Sequence, residues 1–135
     1  MSTQGLARVE RIRRRPDFER VYSQGARISG RFMTVFVLRT GSSQTRLGVA
    51  ATRKLGSAVV RNRAKRLARE LFRRQKIAGG YDIVIVPRRE LVDAPFPTLE
   101  ADYHAVLKRR ATAVAAPRQR PERRSGRRSR ADQRV

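Results

Sequence analysis

LGVAAT (residues 47–52), RKLGSAVVRNRAKRLARELFRRQK (53–76) and, after Gly79-Gly80, YDIVIV (81–86) read as strand, helix and strand. YDIVIV is a continuous apolar run stopped by Pro87, the pattern of a strand covered on both faces. The middle segment carries its apolar residues at helical spacing. At about 3.6 residues per turn, Val60, Ala64, Leu67 and Leu71 stack into one stripe flanked by Ala68. Asn62, Lys65, Arg66, Arg69, Arg73 and Lys76 gather on the other side, with Arg61 at its edge. Ser57 or a neighbour opens this helix, and the paired glycines follow its end. A strand–helix–strand unit of this length predicts a parallel pair of strands.

Working outward, Pro16 suits the first turn of a short helix over about 17–23, with Gly25 just beyond it. Phe18, Val21 and Tyr22 share one face of that helix. FMTVFVLR (32–39) predicts a strand, which a stub at 27–29 can precede, and Gly41-Ser42-Ser43 a turn. A last helix over about 97–110 places Leu99, Tyr103, Val106 and Leu107 on one side. The order α-β-β-α-β-α predicts an α/β (α+β) two-layer sandwich, with helices on a small central sheet. Residues 117–135 hold eight Arg, two acids and two Pro with almost nothing apolar, so they read as a disordered Arg-rich tail after a domain over 1–116.

Charge dominates the composition. The chain has 135 residues with 33 Lys plus Arg against 11 Asp plus Glu, a formal charge of +22, and 29 of the cations are Arg. Self-repulsion at this density is relieved by a polyanion, and Arg offers planar donor forks for phosphate oxygens. One helix face of five or six cations with only Glu70 as local compensation is unlike an ordinary solvated face, which mixes signs. A membrane-surface or calmodulin-target helix calls for a bulkier apolar side. No apolar run approaches the ~20 residues that span a bilayer. Met1 to Arg15 lacks the apolar stretch of a secretory signal. A soluble cytoplasmic protein with a nucleic-acid partner and no membrane is expected.

Protein-borne catalysis finds little support. There is no cysteine and one histidine, His104. Hydrolysis of a phosphodiester by protein groups calls for paired histidines or for carboxylates clustered on metal ions. Asp17-x-Glu19 and Glu100-x-Asp102 are two apart on helices and so diverge. Asp82 is expected at a strand start, and Asp93 with Glu100 and Asp102 around the last helix. No catalytic residue and no metal ligand is assigned, and His104 is read as a surface or capping residue.

The run Arg53-Lys54-Leu55-Gly56-Ser57-Ala58-Val59-Val60-Arg61-Asn62-Arg63, continuing through Lys65-Arg66 to Arg69, resembles the protein subunit of bacterial ribonuclease P. The likeness extends from about Arg11 to Arg110, through the Pro-Asp-Phe helix entry, Arg31-Phe32, Gly48-Val49 and Tyr81-Asp82. It implies a ribonucleoprotein endoribonuclease whose large RNA hydrolyses the phosphodiester with magnesium ions. It further implies a protein that binds no cofactor of its own, partners RNA and no DNA, assists removal of 5′ leaders from precursor tRNA and broadens the substrate range. Carried over, the catalytic-RNA-binding group is Arg53, Lys54, Arg61, Asn62, Arg63, Lys65, Arg66 and Arg69, to which helical periodicity adds Arg73. The leader-binding group is Phe18, Tyr22 and Phe36, with Arg31 beside them.

The aromatic residues agree in kind. Phe36 is expected mid-strand among Phe32, Thr34 and Leu38 on one face, and Phe18 and Tyr22 one turn apart on a short helix. Rings beside cations suit an unpaired strand, because stacking tolerates any base and is worth ~1–3 kcal/mol each. The pattern reads Tyr22 as cleft and leaves core and cleft open for Phe18 and Phe36. The rival from another class is a structural RNA-binding protein resembling a ribosomal protein. An independent small nuclease is a third, disfavoured by the acid and histidine census.

Overall fold

The computed structural model describes residues 10–77 and 79–115. The tail expected over 117–135 lies outside them. Helix α1 is Arg15–Gln24, followed by strands β1 (Ala26–Ser29), β2 (Met33–Arg39) and β3 (Arg46–Val49). Helix α2 (Ala58–Arg74), strand β4 (Tyr81–Pro87) and helix α3 (Phe96–Ala115) complete the order, with short 3₁₀ turns at Arg53–Leu55 and Arg89–Asp93. The stub expected at 27–29 is a full edge strand. The predicted strand over 47–52 is shorter, although the Ala50 N–H still reaches the Ile85 carbonyl at 2.9 Å.

The four strands run in the order β1-β2-β4-β3. β1–β2 and β2–β4 are antiparallel, and β3–β4 is parallel, as the strand–helix–strand reading requires. β4 is central, which is why its sequence is apolar at nearly every position: Ile83, Val84 and Ile85 are fully buried.

Each face of the sheet buries a separate core. Met33, Val35, Val37, Leu47, Ile83 and Ile85 meet Ala64, Ala68, Leu71 and Phe72 of α2 and Leu99, Tyr103, Val106 and Leu107 of α3. On the other face, Val21 of α1 packs with Ile12 and Val84, edged by Phe18, Phe36, Leu38, Ala50 and Val86. Full burial of a Leu, Val or Phe is worth about 1.5–3 kcal/mol, so the two-helix face carries most of the apolar stabilisation. The α2 stripe is rotated from the predicted one. Val60 and Leu67 are only partly buried, while Phe72 is fully covered. Phe32 also departs from expectation. It precedes β2, where the alternation of the strand does not apply, and packs with Met33 in the larger core rather than beside Phe36.

Local chemistry sets the ends of α2. The Ser57 hydroxyl accepts the Val60 N–H at 3.3 Å, a side-chain N-cap, and Gly56 precedes it. At the far end the Gln75 N–H returns to the Leu71 carbonyl at 3.1 Å. α1 is held differently, by charge. Arg46 on β3 donates to both oxygens of Asp82 on β4, at 2.9 and 2.7 Å, and Asp82 is 1% exposed. Arg20 and Asp17 of α1 join the same network at 3.8 Å to Asp82 and 3.6 Å to Arg46.

Candidate nucleic-acid interface

Because α1 covers only part of its sheet face, an open cleft of about 1210 Å³ remains beside it, lined by Phe18, Tyr22, Phe36, Thr34, Ala50 and Val86 among others. The rings form a connected set. Phe18 and Tyr22 lie 6.4 Å apart and tilted, and Tyr22 meets Phe36 edge-on at 5.0 Å. Phe18 and Phe36 are half-buried: each packs on the smaller core and also lines the cleft. They are therefore core and cleft at once. Tyr22 is 40% exposed, and the burial of the rest of the ring raises its phenol pKa.

Gly48 makes the Phe18 position possible. A Cβ there would lie 2.7 Å from the ring, so only a residue without a side chain lets Phe18 settle on β3.

The cations of the cleft are Arg15 and Arg27. The sequence marks neither: Arg15 is one of a run of arginines, and Arg27 is an isolated cation in the β1 stub. Arg31, expected beside the cleft, is not among its lining residues. It lies in the β1–β2 turn, its guanidinium 5.1 Å from the Phe32 ring centre. That turn is tied to α3, where Asp102 accepts the N–H groups of Arg31 and Phe32 at 2.9 Å each. The contact spans 71 residues and had no signature in the chain.

The second basic surface follows α2 and its entry. Arg53, Lys54, Asn62 and Arg66 are exposed, and Lys65 and Arg69 half-buried. Among the described residues no acid pairs with Arg53, Lys54, Lys65, Arg66 or Arg69. Arg61 donates to the Gly56 carbonyl at 2.9 Å and Arg63 to the Val92 carbonyl at 3.0 Å. Those bonds orient both guanidinium groups without neutralising them. Burial, assisted by the charge of Arg11, lowers the Arg69 pKa.

The last turn of α2 is different. Arg73 pairs with Glu70 at 2.5 Å, Arg74 with Glu70 at 3.1 Å and Glu100 at 3.0 Å, and Lys76 with Glu10. The compensation expected from Glu70 alone is thus supplied by three acids, two of them distant in sequence. Arg73, placed with the RNA-facing group by periodicity, is an ion-paired residue here. Free positive charge is concentrated in the half of the helix nearest Ser57.

Carboxylates elsewhere serve arginines: Glu19 pairs with Arg15 at 3.2 Å and Asp82 is enclosed by Arg46. Among the described residues no three His, Cys, Asp or Glu side chains gather within metal-ligating reach. His104 is exposed, its Nδ1 facing the Gln75 amide at 2.7 Å at the end of α2. Among the described residues, no helix is long and apolar enough to cross a membrane.

Comparison with known proteins converges on one family. A family model described as Ribonuclease P matches residues 6–111. The chain is 40% identical over 107 residues to the ribonuclease P protein component of Symbiobacterium thermophilum, covering 77% of this chain and 93% of that one. It is 35% identical over 104 residues to the corresponding component of Caldanaerobacter subterraneus subsp. tengcongensis, covering 76% and 90%. Among solved structures, the ribonuclease P protein of Thermotoga maritima superposes with a TM-score of 0.67 at 37% identity, covering 74% of this chain and 96% of that chain. That of Staphylococcus aureus gives 0.66 at 30% identity, covering 78% and 97%. A ribosomal-protein reading has no support in these matches. With a mixed sheet, an arginine-lined helix and an aromatic cleft in one small domain, the chain belongs to the ribonuclease P protein family, the protein part of the ribonucleoprotein endoribonuclease that processes the 5′ ends of precursor tRNAs.

Proposed function

We propose that this chain docks on the ribonuclease P RNA through the Ser57 half of α2 and takes the single-stranded 5′ leader of precursor tRNA in the cleft beside α1. The observation that carries the docking is the uneven neutralisation of α2: Arg73, Arg74 and Lys76 have acidic partners, whereas Arg53, Lys54, Lys65, Arg66 and Arg69 have none among the described residues. An RNA backbone supplies the missing counter-charge, with Arg61 and Arg63 pre-oriented by their carbonyl contacts and Asn62 as a neutral hydrogen-bonding group between them. The leader reading rests on the Phe18–Tyr22–Phe36 set with Arg15 and Arg27 at its margin. Rings stack on any base and guanidinium groups hold the backbone, so substrates with unrelated leaders are accommodated. Magnesium is held by the RNA; by neutralising phosphates the protein lowers the magnesium concentration that the RNA needs to fold. The setting is the cytoplasm.

The direct test mixes the chain with ribonuclease P RNA and a precursor tRNA at low magnesium. Cleavage stimulated by protein, and lost when the RNA is omitted, is the expected result. Cleavage by the polypeptide alone, or equal magnesium dependence with and without it, refutes the reading. Arg66→Ala is expected to reduce the log–log salt slope of RNA association by about 0.7–0.9, the value of one phosphate contact.

A further inference from the structure

Between the lead-in segment and the start of α1 lies a second cavity of about 450 Å³, lined by Arg11, Arg13, Arg14, Arg46 and Asp17. It shares no lining residue with the aromatic cleft. Backbone contacts build it. The Ile12 N–H donates to the Leu47 carbonyl at 2.9 Å, which pins the lead-in along the free edge of β3, and Arg14 stands at the N-cap of α1. Four guanidinium groups therefore converge, and Arg46 is the one neutralised from within, by Asp82. Asp17 is divided between Arg20 at 3.3 Å and Arg46 at 3.6 Å.

The other three are uncompensated. Arg13 and Arg14 are exposed and have no acidic partner among the described residues. The Arg11 Nε is buried without a hydrogen-bond partner. The charge of Arg11 is also felt by Arg69 across the boundary with α2, where it adds to the effect of burial in lowering the Arg69 pKa. Convergent cations with a buried unused donor are an electrostatic cost to the free protein that a bound anion removes.

We propose that this cavity is a phosphate site, in which Arg11, Arg13 and Arg14 clasp one backbone phosphate of an RNA strand. The proposal rests on the RNA-docking reading above and adds a site to it. Arg46, fixed by two bonds to Asp82, lines the same cavity, and planar guanidinium forks suit phosphate oxygens. Asp17, the one acid of the lining, is held by Arg20 and Arg46. The position of the cavity allows two sources: catalytic RNA continuing past Arg69, or the substrate strand passing along α1.

Two arms decide it. Inorganic phosphate is titrated into the full chain while arginine Nε–H resonances are followed by NMR. The Arg11 signal is expected to shift saturably, and to stop doing so in Arg13→Gln/Arg14→Gln. No saturable shift, or the same shift in the variant, overturns the proposal. In the second arm the double variant is reconstituted with ribonuclease P RNA, and affinities are measured across a salt series. A fall of about 0.7–0.9 in the log–log slope for protein–RNA association assigns the phosphate to the catalytic RNA. The same fall confined to holoenzyme–precursor binding assigns it to the substrate. A change in neither, or one matched by the charge control Arg89→Gln/Lys108→Gln, refutes an RNA phosphate here. Stimulation of cleavage by the unaltered protein reports separately on the docking reading.

Discussion

Asp82→Asn keeps the shape of the side chain on which α1 is anchored and removes its charge. In the native protein the carboxylate accepts two bonds from Arg46, at 2.9 and 2.7 Å, with Arg20 at 3.8 Å, and it is 1% exposed. The amide can accept only on one side and turns an N–H₂ toward a guanidinium that also donates. Removing one partner of a fully buried pair costs about 3–5 kcal/mol. Arg46, however, is 28% exposed and has Asp17 at 3.6 Å as a second acceptor, so part of that penalty is relieved by water and by Asp17. A destabilisation of about 2–3 kcal/mol is expected once that relief is taken from the buried-pair range. At about 4–8 °C per kcal/mol for a domain near 100 residues, the melting temperature falls by roughly 10–20 °C. Chemical and thermal unfolding measure it, and a double-mutant cycle with Arg46→Gln isolates the coupling between the two side chains. The damage is directional. Arg20 and Asp17 tie this network to α1, which carries Phe18 and Tyr22, so affinity for a leader-bearing substrate falls at temperatures where the variant is still folded, while association through α2 is retained. A change below about 0.5 kcal/mol, the range of an ordinary surface substitution, would show that the pair does not hold α1.

Gly48→Ala drives a methyl into the Phe18 ring at 2.7 Å, so the ring must move outward into the cleft. Overpacking of this kind costs about 1–3 kcal/mol, and leader affinity is expected to fall more than catalytic-RNA affinity; equal effects on both refute the Phe18 assignment. The three tyrosines, Tyr22, Tyr81 and Tyr103, are expected to ionise in a fixed order. Tyr81 comes first, because its hydroxyl bonds to Arg39 with Arg110 nearby, then Tyr22, and last Tyr103, which burial pushes far upward. The sign follows: lowering the folded Tyr81 pKa favours the folded state only as pH rises through it and contributes nothing at neutrality. Ultraviolet titration of the native chain and of Tyr81→Phe checks this, the earliest step disappearing in the variant.

The segments that sequence placed well are those whose determinants are local. The periodicity of 58–74, the Ser57 cap and the unbroken apolar run of β4 each act within a few turns of chain, and they located α2, β4 and the parallel pair. The Arg61-Asn62-Arg63 run likewise pointed to its family without any knowledge of its surroundings. What sequence leaves unread has one origin. Helical spacing groups Arg73 with the free cations because it shows which side a residue faces and not what faces it. Glu10 and Glu100, which with Glu70 neutralise the end of α2, arrive from the lead-in and from α3. The resemblance sets Arg31 beside the cleft, and Asp102 holds its turn against α3. Strand alternation sets Phe32 beside Phe36, but the strand begins one residue later.

Sequence by itself therefore determined the elements, the sign of the α2 surface and the kind of partner that surface requires, since propensity, periodicity and net charge are properties of the chain. Tertiary structure decided which charges remain unpaired, that Phe18 and Phe36 are half-buried at the edge of a core, and that Arg15 and Arg27 rather than Arg31 line the cleft. Ion pairing and burial depend on groups brought together across tens of residues, and their energies are set by local dielectric and distance, which exist only once the sheet has formed.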